Sequence, residues 1–314
     1  MPGEIVVVRP GDEPPASWDA SVLLEHPGSP METLQAIDAF TEIWRAGRLV
    51  VFLAGGAEHP PADLVVGPEA MTTAAAIEEI GRGAHRVDGE RDVPLSIWRT
   101  ASFQRWYTAQ RQAGNRLLSA RPVWTFRPGH GAVFFWALHV RLQVTAEDRV
   151  KDNEVVISRP DISAVALYRP GPTRDETTIV LVREFRSPAS TPDGDVHELP
   201  GGSAFGHAAA GSPTPLAQAR DEVEEETGLA IEASRFRRHG SRQVAATVSA
   251  HHAHLFSAEI TDEELARLRA GQDGPYGLHA DGERTWVEIA TYGEIRAGDL
   301  VDWATLGMLA AVLD

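Results

Sequence analysis

The feature that most constrains the fold is the segment PLAQARDEVEEETGL, at residues 215–229. Pro215 suits the first turn of a helix and Gly228 can end one, so the segment predicts a single amphipathic helix. Ala219 and Val223 belong to an apolar face that can pack on a sheet. The segment therefore favours an α/β fold in which this helix covers one side of a sheet.

The opposite face of this helix carries three carboxylates. Glu222, Glu225 and Glu226 stand at positions i, i+3 and i+4, which are neighbours on a helix surface. Like charges at that spacing repel one another and destabilise the helix. A magnesium or manganese site would explain them, because hard cations prefer carboxylate oxygens. A solvated acidic face is the alternative.

The rest of the chain predicts two α/β domains, residues 1–117 and 118–314. The first part alternates apolar strand-like runs with helical periodicity, which is the rhythm of a small doubly wound layer. Its strand-like runs include EIVVV and RLVVFLAGG, and its helix-like runs include METLQAIDAFTEIWRAG and MTTAAAIEEIGRGA. The second part has many short strands separated by turn residues, with few helices. This pattern predicts a mixed, largely antiparallel sheet.

Composition excludes several classes of function. No window of about twenty apolar residues occurs, so no membrane-spanning helix and no membrane partner are expected. The chain has no cysteine, which excludes disulfides and thiolate zinc sites. A net charge of −16 argues against binding to a nucleic-acid backbone, but a divalent cation can still join acidic side chains to a nucleotide. The N-terminus lacks the pattern of a secretory signal, so a cytoplasmic location is expected.

Three motifs together resemble those of the Nudix hydrolases: REFR (183–186), HELPGG (197–202) and EVEEETGL (222–229). The resemblance covers roughly residues 118–314 and implies an α/β/α sandwich with a mixed sheet. It also implies Mg²⁺, or Mn²⁺, as cofactor. The first two motifs are similar to those of the subgroup that hydrolyses ADP-ribose and nucleoside diphosphate sugars, whose members often form homodimers.

The resemblance assigns roles to the acidic helix and to the loop before it. It implies that Glu222, Glu225 and Glu226 are catalytic metal ligands. A backbone carbonyl of Gly201 or Gly202 would also approach the metal, and Gly202 is the preferred candidate.

The resemblance also implies roles outside the helix. Arg183, Arg186 and Glu198 become candidate substrate-binding residues, although surface ion pairing or capping of local amides would also explain them. His251 and His252 stand where many relatives carry a general-base glutamate, and neutral histidine is a competent base near pH 7. Ordinary polar packing on a strand is the alternative for both.

Two positions depart from the family pattern. Asp221 replaces the arginine that normally precedes the first glutamate of the helix, and Pro213 stands where an upstream glutamate is usual. These departures keep open the hypothesis that the chain is a nucleotide sensor without catalytic activity.

The segments RPGDEPP, SVLLEHPGSP and GPEAMTTAAAIEEIG of the first domain resemble nucleoside 2-deoxyribosyltransferases. That family has a small doubly wound α/β fold and a glutamate nucleophile at the start of a helix. Glu79 matches the placement of this nucleophile, with Glu78 as its neighbour. A carboxylate can attack an anomeric carbon through an oxocarbenium-like transition state. Exposed helix carboxylates are the alternative reading of both residues.

The leading prediction is a magnesium-dependent pyrophosphohydrolase of the Nudix type. Its substrate would be a nucleoside diphosphate linked to a sugar or similar group, as in ADP-ribose, and one product would be a nucleoside monophosphate. The alternative enzyme is an N-glycoside hydrolase or deoxyribosyltransferase that acts through the first domain.

Overall fold

The computed structural model describes the strands at 5–8, 21–24, 50–53 and 64–66, and then residues 87–98, 100–126, 133–203, 213–272, 274–276 and 284–313. The chain divides into two compact units. One comprises residues 1–160 with 248–250, and the other comprises residues 161–247 with 251–314. The sequence-based boundary between residues 117 and 118 remains a prediction.

The first unit contains a parallel sheet in the order β1-β2-β3-β4. Its strands are β1 (Ile5–Val8), β2 (Ser21–Leu24), β3 (Val50–Leu53) and β4 (Leu64–Val66). Apart from Ser21, all four strands consist of apolar residues, a composition typical of parallel strands. A doubly wound sheet is one in which the spatial order of the strands reverses at some point. Among the four described strands the spatial order follows the chain order without a reversal. That finer description therefore remains a prediction.

A separate antiparallel sheet follows in the same unit. Its strands are β5 (Arg116–Phe126), β6 (Phe135–Val144) and β7 (Arg149–Ser158), and they are preceded by α1 (Leu95–Trp98) and α2 (Ala101–Gln112). The hydroxyl of Thr100 caps α2 by accepting a hydrogen bond from the N–H of Phe103. Phe103 and Tyr107 of α2 share a buried core with Trp136 and Leu138 of β6. Helix α2 thus packs on a sheet of its own unit.

The second unit is built on a mixed sheet in the order β10-β9-β8-β13-β12, with β11 on β8 and β14 on β9. The pair β13–β8 is parallel and the other pairs are antiparallel. The strands are β8 (Ile162–Arg169), β9 (Thr178–Phe185), β10 (Asp195–Glu198), β11 (Gly201–Ser203), β12 (Arg237–Gln243), β13 (His252–Glu259) and β14 (Trp286–Thr291). The mixed, largely antiparallel sheet confirms the α/β class predicted from the sequence.

Helices cover both faces of this mixed sheet. They are α3 (Pro215–Thr227), α4 (Asp262–Ala270), α5 (Tyr292–Ala297) and α6 (Trp303–Leu313). Val165 of β8 packs in one core cluster with Val223 of α3, and Ala164 packs in another with Leu309 of α6. Adjacent strand residues point to opposite faces, so α3 and α6 lie on opposite sides of the sheet.

No helix within the described part of the chain combines the length and the apolar character needed to cross a bilayer.

Candidate functional site

The acidic segment forms helix α3 with the ends that the sequence predicts. The Oγ1 atom of Thr214 accepts a hydrogen bond from the N–H of Ala217 at 3.2 Å, and Pro215 is the first helical residue. The helix ends at Gly228, whose φ of 69° lies in the left-handed region that glycine adopts at low cost. Capping and end geometry therefore fix the helix, despite its repelling carboxylates.

The three carboxylates of α3 differ in exposure. Glu222 and Glu225 are half-buried, whereas Glu226 is only 7% exposed. Its Oε2 atom accepts a hydrogen bond from the backbone N–H of Gly201 at 2.9 Å. The acidic face of the helix is thus turned partly towards the sheet and is not fully solvated.

The glycine pair of β11 lies between α3 and the neighbouring strand β8. A Cβ on Gly201 would lie 2.2 Å from the carbonyl oxygen of Ser163, and a Cβ on Gly202 would lie 2.4 Å from Oε1 of Glu222. The amide nitrogen of Gln218 donates a hydrogen bond to the carbonyl oxygen of Gly202 at 2.6 Å. Only glycine, which has no side chain, allows α3 and β8 to approach β11 so closely.

Two further carboxylates come from the sheet. They are Glu184 and Glu198, and both act on Glu226. Burial raises the pKa of Glu226 well above its ordinary value, and the hydrogen bond from the N–H of Gly201 lowers it. Repulsion from Glu222, Glu198 and Glu184 raises this pKa further. We call Glu184, Glu198, Glu222 and Glu226 the carboxylate cluster. Glu184 is itself 9% exposed, so two of the four side chains are buried.

Arg186 joins this cluster. Its Nη2 atom lies 2.8 Å from Oε2 of Glu184 and 3.2 Å from Oε1 of Glu198. The structure thus brings the predicted Arg186 and Glu198 together, with Glu184 as a third member. The arginine neutralises part of the negative charge that the cluster concentrates.

Arg183 lies on the other face of the sheet. Because strand residues alternate, Arg183 and Glu184 project in opposite directions. Arg183 pairs with Asp195 through Nη1 and Oδ2 at 2.6 Å, and its guanidinium stands 5.1 Å from the ring centre of Trp286. Arg183 therefore lies apart from the carboxylate cluster, and its substrate-binding role remains a prediction.

The two candidate histidines lie at the start of β13, which pairs with β8 on the side away from β11. The N–H of His252 donates to Oδ1 of Asp161 at 2.9 Å, and its Nδ1 is 3.4 Å from the hydroxyl of Ser241. His251 directly precedes the strand and is half-buried. With neighbouring strands about 4.8 Å apart, β13 and β11 are roughly 10 Å from each other. The general-base role of either histidine remains a prediction.

Glu79, the candidate nucleophile of the first domain, falls outside the described residues together with Glu78. The structure therefore adds nothing to the prediction of a glycosyl site.

The donor set of the carboxylate cluster matches what a hard divalent cation requires. It offers only oxygen atoms, and a buried carboxyl beside three others is costly unless a cation or a proton neutralises it. In the part of the chain that the structure describes, no three Asp, Glu or His side chains converge on one point where an ion could contact them all. The cluster thus offers the oxygen ligands that magnesium prefers, but no three of its described side chains are arranged around a single ion position.

Two residues of this site were missed from the sequence. Glu184 stands in REFR between the two arginines that were singled out, and strand alternation places it on the face opposite Arg183. Gln218 precedes Glu222 by four residues, so the helical period puts both on one face. The spacing alone indicated both of these placements, whereas the approach of Glu184 to Glu198 required the pairing of β9 with β10.

Comparison with protein-family models gives no match for this chain, and comparison with curated proteins gives none either.

Proposed function

We propose that the protein is a magnesium-dependent pyrophosphohydrolase of the Nudix type. Its substrate would be a nucleoside diphosphate linked to a sugar or a similar group. The observation that carries the proposal is the carboxylate cluster, which gathers four glutamates from β9, β10 and α3 beside a glycine pair. A helix with a merely solvated acidic face would not bury Glu226 among three other carboxylates.

Each residue of the proposed site would have a distinct role in binding the cation or the substrate. Glu222, Glu225 and Glu226, with the carbonyl of Gly202, would hold the cation. When bound there, a divalent cation would neutralise diphosphate charge and increase the acidity of a water molecule. Arg186, which is partly exposed, can turn its guanidinium to phosphate oxygens, for which it has matching geometry.

The reaction is hydrolysis of the diphosphate bond. Water attacks one phosphorus atom, the bridging P–O bond breaks, and the products are a nucleoside monophosphate and a phosphorylated remainder. Little covalent chemistry is required of the protein, so positioning and electrostatics would provide most of the rate.

The test is a product assay on the full chain with Mg²⁺ and ADP-ribose, nucleotide sugars, dinucleotides and plain nucleosides. Glu225→Gln and Glu226→Gln should each reduce monophosphate formation at least about 100-fold. The reason is that replacing even a residue that only contacts a metal ligand lowers metal affinity or activity about 10–100-fold. Glu224→Gln is the matched control, since Glu224 lies exposed on the same helix. Full activity in both site variants would refute the proposal.

The same panel separates the alternatives. Free base released from a nucleoside would place the chemistry in the first domain, at Glu79. A nucleotide that raises the melting temperature without any product would identify a sensor, because ligand binding to the folded state stabilises it.

A further inference from the structure

A cavity apart from the carboxylate cluster lies in the first unit, where helix α2 ends and β5 begins. Its volume is about 360 Å³, and the residues that line it all lie between positions 87 and 117. Sites for small molecules have volumes of about 300–1,000 Å³, so this cavity is at the small end of that range. It has the size of a site for a small metabolite.

A buried pair of polar side chains lines the cavity. Glu90 is 8% exposed and Tyr107 is 5% exposed. The hydroxyl of Tyr107 donates a hydrogen bond to Oε1 of Glu90 at 2.5 Å. Burial and this hydrogen bond raise the pKa of Tyr107, so the phenol keeps its proton at neutral pH. Because a phenol that donates a hydrogen bond still has lone pairs, the hydroxyl oxygen of Tyr107 can also accept one from a ligand.

Arg111 brings a positive charge to the same cavity. It is exposed near the end of α2, and its guanidinium stands 5.9 Å from the ring centre of Tyr107. No carboxylate among the residues that the structure describes forms an ion pair with it. The other guanidinium of the lining, that of Arg116, is paired with Asp88 through Nη2 and Oδ2 at 2.7 Å. Arg111 is thus available to an anionic group, and carboxylates and phosphates match the geometry of a guanidinium.

The walls of the cavity are fixed by local contacts. A Cβ on Gly89 would lie 2.4 Å from the backbone nitrogen of Ser119, so the 3₁₀ turn at Asp88–Asp92 is pressed against β5. Asp88 has a φ of 47°, in the left-handed region that is uncommon for a residue with a side chain, and its ion pair with Arg116 holds it there. The cavity is therefore formed before any ligand enters it, which lowers the cost of binding.

The lining also determines what else a ligand has to carry. It contains the carboxylates of Asp88 and Glu90 and two guanidiniums, so its formal charges balance. A simple inorganic anion would be repelled by the carboxylates as well as attracted by Arg111. A ligand with hydroxyl or ammonium groups can donate hydrogen bonds to the carboxylate of Asp88 and to the hydroxyl oxygen of Tyr107. The cavity thus favours a small organic anion that also carries hydrogen-bond donors.

We propose that this cavity is a binding site for a small organic anion with hydroxyl or ammonium donors. The carboxylate or phosphate of the ligand pairs with Arg111, and its donors bond to Tyr107 and Asp88. The inference does not depend on the proposed function, since no residue that lines the cavity belongs to the carboxylate cluster.

The first experiment titrates the full chain with four probes by calorimetry, in EDTA to keep the carboxylate cluster free of cations. Ribose 5-phosphate and glycerate carry hydroxyl donors, whereas alanine and glutamate carry an ammonium donor, so the panel distinguishes the two kinds of ligand. Inorganic phosphate and ribose are controls that each lack one part of the required chemistry. At least one probe should bind about tenfold more tightly than both controls, because it adds a charge-assisted contact to the hydrogen bonds. If no probe binds more tightly than the controls, the inference is refuted.

The second experiment repeats the titration with Arg111→Gln. Because Arg111 is exposed and has no ion pair among the described residues, this variant should fold like the wild type. The dissociation constant of the probe should rise at least about tenfold, since a charge-assisted hydrogen bond is lost. Arg121→Gln is the matched control, because Arg121 of β5 is also exposed and lies outside the cavity. Unchanged affinity in Arg111→Gln would overturn the inference.

A third measurement shows where the probe binds. The chain has four tyrosines, so protein labelled with 3-fluorotyrosine should give a ¹⁹F spectrum in which the resonance absent from Tyr107→Phe identifies Tyr107. That resonance should shift during the titration and reach a plateau at the dissociation constant found by calorimetry. A probe that binds without shifting it occupies another place, and this result would contradict the assignment of the cavity.

Discussion

Alanine at Gly201 and alanine at Gly202 should have different consequences, although the residues are adjacent. Neither glycine has a positive φ, so alanine can adopt the backbone conformation of both. The cost of each substitution is therefore steric, and it depends on what the new methyl group would meet.

At Gly201 the methyl group would meet backbone. The nearest atoms are the carbonyl oxygen of Ser163 at 2.2 Å and Cα of Ala164 at 2.9 Å, both in strand β8. Backbone in the middle of a sheet can move only if strand pairing is disturbed. Overpacking of this kind costs about 1–3 kcal/mol, and each kcal/mol lowers the melting temperature of a unit this size by about 2–4 °C.

At Gly202 the methyl group would meet only the carboxylate of Glu222, whose Oε1 and Cδ atoms are 2.4 and 2.7 Å away. The far end of a flexible side chain can rotate aside at a cost of about 0.5–1.5 kcal/mol. Gly202→Ala should therefore stay more stable than Gly201→Ala, but its displaced carboxylate should weaken Mn²⁺ binding.

The assay compares thermal unfolding of the two variants in EDTA and then their Mn²⁺ titrations. A melting temperature for Gly202→Ala as low as that of Gly201→Ala would refute the reasoning, as would unchanged Mn²⁺ affinity in Gly202→Ala. The first result would mean that Glu222 is held rigidly, and the second that it does not serve the cation.

Three other predictions concern stability in EDTA. Burial raises the pKa of Glu226 above its ordinary value of 4.5, so the folded state binds more protons than the unfolded chain above that pH. The free energy of unfolding should therefore fall as the pH rises above about 4.5, and Glu226→Gln should reduce that slope in denaturant titrations. Thr214→Ala removes the cap on the N–H of Ala217 and should lower the free energy of unfolding by about 1 kcal/mol, with Thr214→Ser close to wild type. Tyr107→Phe removes the 2.5 Å hydrogen bond from the Tyr107 hydroxyl to buried Glu90 and should cost about 1–3 kcal/mol in the same titration; no change would show that the bond is not formed in solution.

The local structure of the site could be predicted from the sequence. The positions of Pro215 and Gly228 gave the ends of α3, and the spacing of Glu222 and Glu226 placed both on one face. These predictions depend on interactions within one or two turns of helix, which neighbouring residues determine. The class of the second sheet followed in the same way from short apolar runs and turn residues.

The close approach of the four glutamates of the carboxylate cluster could not be predicted from the sequence, because it depends on the tertiary structure. Glu184 and Glu198 reach Glu226 because β9 pairs with β10 in one register and α3 crosses that face of the sheet. Register between strands is set by burial across the whole sheet, so a short motif does not specify it.

The sequence by itself determined an amphipathic acidic helix, a mixed α/β chain and an absence of cysteine chemistry. Only the tertiary structure decided that Glu226 is buried, that Gln218 holds Gly202, and that Arg186 but not Arg183 faces the carboxylates. The physical reason is that periodicity records which face of an element a residue occupies. Which faces then meet depends on the packing free energy of the folded unit as a whole.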